Sequence, residues 1–440
     1  MAGIFKAYDI RGIYGTTLTE DLATDIGRAF ATFLKCRRVV VGRDMRPHSV
    51  GLFNALCRGL IGQGTDVVDL GLCSTPMSYY ANGILGADGS IMITASHNPG
   101  EWNGFKLCRQ QAIPISGDTG ILEIERIVKT KAFAPAPSRK GTISSHDIVG
   151  EYVAHVRKVA DLKRPVRIAV DFANAMGIYE ARCFDGVLEM TRLFDHLDGS
   201  FPNHEANPLH TATLDTLQKT VRGGNYDFGV AFDGDADRVG FVDEKGEIVP
   251  MDIMTALIAQ SILEKEKGVI FYDLRSSWAV KEVILSCGGT PMMSRVGHAF
   301  IKQQMRDHKA IFAGELSGHY YFRDNFTTES AAMAVLYVAN VVTHKGKPLS
   351  ELVKPIQRYF ASGEINSEVK NPAKVLDAIR GKYRDGKMTE LDGVTVEYDD
   401  WWFNVRCSNT EPLVRLNLEA RSETLMATKR DELLKWIRAA

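Results

Sequence analysis

One pattern recurs three times along this chain and limits its fold more than any other feature. An apolar run ends at an acidic turn: Val39-Val40-Val41 before Gly42-Arg43-Asp44, Arg167-Ile168-Ala169-Val170 before Asp171, and Val269-Ile270-Phe271-Tyr272 before Asp273. Later in each region a second apolar run ends in a polar loop. Ile91-Met92-Ile93 leads to Ser96, Phe228-Gly229-Val230-Ala231-Phe232 to Asp233, and Ala310-Ile311-Phe312-Ala313 to Glu315. Short apolar runs bounded by turn residues read as buried strands. Helical segments lie between them; the first has Thr19 as N-cap and Leu22, Ile26, Phe30 and Phe33 along one face. The recurrence predicts a degenerate threefold repeat of one α/β unit, each a mixed sheet flanked by helices.

The last region has another texture. Two strand-like runs, Trp401-Trp402-Phe403-Asn404-Val405 and Leu413-Val414-Arg415-Leu416, precede an amphipathic helix containing Leu425, Leu433, Leu434, Trp436 and Ile437. This predicts a smaller C-terminal α+β domain. A chain of 440 residues is too long for one core. The expected divisions are 1–147, 148–247, 248–356 and 357–440. Ala134-Pro135-Ala136-Pro137-Ser138 reads as a linker, followed by a helical segment around Tyr152 to Leu162.

Ligands of open α/β sheets collect at the carboxyl ends of strands, so the loops there carry the chemistry. Thr94-Ala95-Ser96-His97-Asn98-Pro99 offers a hydroxyl, an imidazole and a carboxamide at one turn, and a Ser so placed can carry a group during catalysis. Asp233-Gly234-Asp235-Ala236-Asp237-Arg238 sets three carboxylates at alternate positions, a donor set for magnesium or calcium with coordination places left open. A helix–loop–helix calcium site is excluded, because Arg238 stands where that loop needs Gly and the flanks read as strands. Gly314-Glu315-Leu316-Ser317-Gly318-His319 combines groups that read sugar hydroxyls with an imidazole able to move a proton near neutral pH. Arg406-Cys407-Ser408-Asn409-Thr410-Glu411-Pro412 has an Arg fork and short polar side chains, the makings of a phosphate cradle.

Composition removes other classes. Lys and Arg number 53 against 54 Asp and Glu, so a net charge of −1 gives no electrostatic case for nucleic acid or a membrane surface. The seven cysteines (36, 57, 73, 108, 183, 287 and 407) are scattered without a Cys-x-x-Cys pair, which argues against a disulfide framework or zinc site. Met1 to Lys6 lacks the apolar core of a signal peptide. The longest apolar stretch, Ala331 to Val342, is too short to span a bilayer. A reducing cytoplasm is the expected compartment.

The four loops, in this order and together with Tyr8-Asp9-Ile10-Arg11-Gly12, resemble the α-D-phosphohexomutase family and its bacterial phosphomannomutase branch over essentially the whole chain. That resemblance implies four domains around a central cleft: phosphoserine, metal, sugar and phosphate domains in chain order. It implies a phosphoserine at Ser96 and a Mg2+ ion bound by Ser96, Asp233, Asp235 and Asp237. Arg11, His97, Asn98, Lys106 and Arg238 would surround the phosphate, and His298 and His319 are the candidates for acid/base work. Tyr8, Arg275, Gly297, Glu315 and Ser317 would hold the sugar, and Arg406, Ser408, Asn409 and Thr410 the distal phosphate. The implied substrate is a hexose phosphate, mannose or glucose, passing through a hexose 1,6-bisphosphate that also serves as activator. The enzyme would be a monomer or homodimer. Arg275 stands where many members have Lys, and Ala236 where many have a second Gly. Two rivals are an aspartyl-nucleophile phosphatase built on Asp233 and Asp235, and a non-catalytic sugar-phosphate binding protein. Asp237 stands where the phosphatase would have Thr or Val, and the intact Ser96, triple-Asp and Arg406 motifs argue against lost catalysis.

Overall fold

A computed structural model describes residues 3–407 and 413–439. The three regions build three sheets that share an order of four strands. In the first sheet the order is Ile143–Ser145, Asp66–Leu72, Arg38–Arg43, Gly89–Ile93, Trp102–Arg109 and Ile10–Ile13. The second runs Glu189–Leu193, Arg167–Asp171, Phe228–Phe232, Val239–Asp243 and Ile248–Val249. The third runs Thr290–Ser294, Val269–Asp273, Phe312–Gly314, Tyr320–Phe322 and Thr328–Glu329. In each, the strand that opens the unit lies parallel to the strand leading into a motif loop. The motif strand then pairs antiparallel with the next strand in the chain. The loops after Ile93, Phe232 and Gly314 therefore leave equivalent points of three related sheets.

The motif strands are covered on both faces and so are mostly apolar; Gly89–Ile93 and Phe228–Phe232 are buried at every position. One continuous core joins the second and third units through Phe232, Phe241, Leu257 and Tyr320. The apolar segment Ala331–Lys345 is a buried helix of that core. No helix among the described residues is long and apolar enough to cross a membrane.

The C-terminal region folds as an antiparallel sheet. Lys387–Thr389, Val394–Glu397, Trp401–Cys407 and Leu413–Ala420 lie in sequence, and Phe360–Ala361 and Ile365–Glu368 both pair with the last. Helices Pro372–Lys382 and Glu423–Ala439 close it over Ile379, Phe403, Leu416, Leu433 and Ile437.

The segment expected to be helical from Tyr152 to Leu162 is instead a helix over Val149–Val156 and a short 3-10 turn over Arg157–Val159. The buried Asn340 ends it: its amide donates to Val159 O at 2.7 Å, and its carbonyl accepts from Asp161 N at 2.8 Å. A side chain from another helix thus takes the bonds that further helical turns would have made.

Candidate active site

The serine loop is held by a residue that the sequence reading did not single out. Arg46 is 2 % exposed. Its guanidinium donates to the carbonyls of Ser96 (2.9 Å), Asn98 (2.6 Å), Pro99 (2.7 Å) and Trp102 (3.0 Å), and its Nε to Asp44 at 3.1 Å. Only a rigid fork with five donors can serve so many acceptors at once. The staple fixes Ser96 at φ +52°, a left-handed conformation that non-glycine residues avoid. Ser96 Oγ then donates to Asp233 Oδ2 at 3.0 Å and lies 3.2 Å from His97 Nδ1. Arg11 donates to Asn98 Oδ1 at 2.6 Å and to Ala95 O at 3.2 Å, with its Nε on Asp9.

The acidic loop joins the antiparallel strands Phe228–Phe232 and Val239–Asp243. A Cβ at Gly234 would stand 2.2 Å from the Ser96 carbonyl oxygen, so glycine lets the two loops touch. Ala236 adopts φ +61°, a left-handed conformation that a glycine would take without strain and that alanine takes at a cost. Asp233, Asp235 and Asp237 are buried, and one oxygen of each lies within 4.8 Å of the others. Lys106 Nζ bridges Asp235 and Asp237 at 2.5 Å each. Arg238 Nε is 3.6 Å from Asp233, and its Nη2 is 2.7 Å from His97 Nδ1. Burial, then the charges of Asp237 and Asp235, pushes Asp233 up to about 7. Asp235 Oδ1 is buried and accepts no hydrogen bond among the described residues. Unpaired buried carboxylate oxygens are costly, and a hard divalent cation satisfies them. The residues fit such an ion.

The third loop is a network. Glu315 Oε2 accepts from Tyr321 OH at 2.6 Å, and Oε1 accepts from Gly297 N at 3.2 Å. His319 Nδ1 lies 2.8 Å from Ser317 Oγ and 3.1 Å from Glu315, while its Nε2 faces Asp237 Oδ1 at 3.4 Å. Burial works against the charged ring, but Asp237 and Glu315 outweigh it and raise His319 to about 9. His298 differs. Burial, with Lys302 next, drives its pKa well below the ordinary value. Its ring makes no hydrogen bond among the described residues and lies 3.6 Å from Glu329, which is tied to Lys302 at 3.0 Å. Gly297 precedes it at φ +128°, against Tyr8.

The fourth corner is basic. Arg406, Arg415 and Arg275 lie 2.7, 3.3 and 3.6 Å from the one carboxylate of Glu364. Burial would raise Glu364, but Arg406 and Arg275 hold it down at about 2. Ser408, Asn409 and Thr410 lie outside the described residues. A cleft of about 270 Å3 is lined by Tyr8, Arg238, Arg275, Gly297, His298, Glu315, Ser317, His319 and Arg406, with Asp392 and Arg415. Ser96, His97, Asn98, Lys106, Arg11 and the three Asp residues lie behind it, linked to its lining through Arg238 and His319. Arg46, Tyr321, Glu329, Lys302 and Glu364 went unnoticed in the sequence as parts of this assembly. Arg46 follows the first acidic turn by two residues.

Four family models match in this order: phosphoglucomutase/phosphomannomutase alpha/beta/alpha domain I over 2–135, domain II over 150–246, domain III over 250–359 and the C-terminal domain over 364–435. The chain belongs to the phosphoglucomutase/phosphomannomutase family. A phosphomannomutase of Escherichia coli is 42% identical, with 98% of both chains covered. A protein of Xanthomonas campestris pv. campestris described as phosphohexose mutases is 38% identical, with 99% of both covered. The crystal structure of a family protein from Burkholderia thailandensis superimposes with a TM-score of 0.91 at 32% identity, covering 99% of this chain and 97% of that one. The fold expected from the sequence is the family's fold, and the protein is an intramolecular phosphotransferase of the phosphohexomutase type.

Proposed function

We propose that this phosphohexomutase interconverts mannose 6-phosphate and mannose 1-phosphate through a phosphoserine at Ser96 and a hexose 1,6-bisphosphate, and so supplies GDP-mannose and polysaccharide synthesis. The observation that carries this reading is the convergence of Ser96 Oγ on Asp233, next to Arg238, which lines a cleft together with Arg275, Arg406 and Arg415. A sugar with a phosphate at the arginine end presents its free hydroxyl to the serine end. The hydroxyl oxygen attacks phosphorus, the bond from phosphorus to Ser96 Oγ breaks, and the hydroxyl proton passes to a base. His298 suits that task, because burial keeps it neutral and no hydrogen bond occupies its ring, whereas both nitrogens of His319 are engaged. Arg11, Arg238 and Lys106 stand near the serine and acidic loops as donors to the moving phosphoryl oxygens. A Mg2+ ion held by Asp233, Asp235 and Asp237 with phospho-Ser96 would supply neutralisation of the charge on those oxygens. Reorientation of the bisphosphate and return of the second phosphate to Ser96 complete the cycle. A dual mannose and glucose specificity is the second reading, since Glu315 and Ser317 address hydroxyls that both sugars share. All seven cysteines are free, in keeping with a reducing cytoplasm.

Phosphorus NMR tests this. Mannose 1-phosphate, Mg2+ and a trace of hexose 1,6-bisphosphate should give a growing hexose 6-phosphate signal, and Ser96→Ala should abolish it. Free phosphate from both proteins would replace the mutase reading with the aspartyl phosphatase, and glucose 1-phosphate in parallel ranks the two sugars.

A further inference from the structure

A carboxyl outside the cleft joins two of its walls. Glu180 ends the short helix Gly177–Glu180 and is fully buried. Its Oε1 accepts a short hydrogen bond from Ser74 Oγ, and its Oε2 accepts from Tyr152 OH at 3.0 Å. Tyr152 OH in turn lies 3.0 Å from Ser330 Oγ. Both serines are helix caps. Ser74 accepts from Met77 N at the start of Thr75–Ile84, and Ser330 accepts from Met333 N at the start of Ala331–Lys345. The three elements come from three different units of the chain.

Each serine is one residue from the cleft machinery. Thr75, after Ser74, donates its backbone N–H to Asp235 O at 3.0 Å and its hydroxyl to Asp235 Oδ2. Glu329, before Ser330, holds Lys302 and faces His298. A buried carboxyl that only filled space would be replaced by an apolar residue without loss. What Glu180 adds is two acceptor oxygens on one rigid plane, fixing two donor hydroxyls relative to each other.

We propose that Glu180 is a positioning residue that sets the acidic metal loop and the His298 wall in register, acting through the capping serines Ser74 and Ser330. The proposal rests on the mutase reading for what the cleft does, but not for the contacts themselves. Glu180→Gln keeps the volume and leaves one oxygen to accept. Mg2+ affinity by calorimetry on the full chain should fall about tenfold, and kcat about tenfold, with the melting temperature changed by only a few degrees. Ser74→Ala should weaken Mg2+ binding about fivefold and leave the KM for mannose 1-phosphate within twofold. Ser330→Ala should do the reverse, moving kcat or KM about fivefold with Mg2+ affinity within twofold. Adding Ser74→Ala to Glu180→Gln should cost no further Mg2+ affinity. A folded Glu180→Gln protein with both quantities within twofold of wild type overturns the proposal. So do serine variants that move both readouts alike or neither, even where Glu180→Gln fails to fold, and so does a wild type that binds no Mg2+. A wild type that binds Mg2+ but has no mutase activity refutes the proposed reaction instead, and the calorimetric effects of Glu180→Gln and Ser74→Ala still decide the role of Glu180.

Discussion

Gly234→Ala is the smallest change that separates loop contact from loop chemistry. It removes no carboxylate and no hydroxyl, and adds one methyl group. That carbon would sit 2.2 Å from the Ser96 carbonyl oxygen and 3.1 Å from its carbon. A carbon–oxygen contact relaxes at about 3.3 Å, so the two loops must part by about 1 Å. The neighbour is backbone, and Arg46 binds the same carbonyl oxygen, so the serine loop cannot swing aside cheaply. Overpacking of this kind costs about 1–3 kcal/mol. A shift of about 1 Å between Ser96 Oγ and Asp233 costs a catalytic constellation on the order of 100-fold. The expected result is a folded protein, melting several degrees lower, with kcat reduced roughly 100-fold. Gly150→Ala is the control, because that position is exposed in helix Val149–Val156 with nothing within 4 Å of the added carbon. It should gain up to about 1 kcal/mol and keep full activity. A Gly234→Ala enzyme with kcat within threefold of wild type and an unchanged melting temperature would refute the close-approach argument.

Arg46→Lys keeps the charge opposite Asp44 but not the fork; with at least two of the four carbonyls left bare, it should destabilise the protein by about 2–4 kcal/mol and lower kcat more than tenfold, read by thermal melting and the mutase assay. Glu364 is held near 2 against an ordinary 4.5. A depressed carboxyl pKa gives stability that is present above pH 4.5 and lost as pH falls toward 2. The stability gap between wild type and Glu364→Gln should therefore close across that window, and a pH-independent gap in urea titrations would contradict the arginine pairing.

Much of this architecture is legible because its signals are local. Strand, acidic turn and motif loop lie within a few residues of each other in each unit, so apolar runs such as Phe228–Phe232 reveal the repeat without any tertiary information. The aspartates at 233, 235 and 237 announce a shared acidic cluster for the same reason. What stays hidden is side-chain bonding to distant backbone. Arg46 acts on carbonyls 50 to 56 residues away, and no pattern around it in the chain signals that. The early end of the helix at Val156 depends on Asn340, which a local reading cannot see. Lys302 and Glu329 are polar residues in a buried setting, where apolar periodicity is silent. Glu364 reads as an ordinary loop residue until folding brings three guanidiniums to it.

That last arrangement has a consequence for binding. Glu364 is a ligand permanently tethered to its own receptor. A short tether gives an effective concentration in the millimolar range, so any anion entering the arginine corner competes with an occupant that never diffuses away. A lone inorganic phosphate meets that competition with no other anchor. On the proposed reading a sugar phosphate would meet it with further contacts at Glu315 and Ser317, and a bisphosphate with a second charged end. With the carboxylate among the arginines, the corner does not stand as a bare cluster of positive charge.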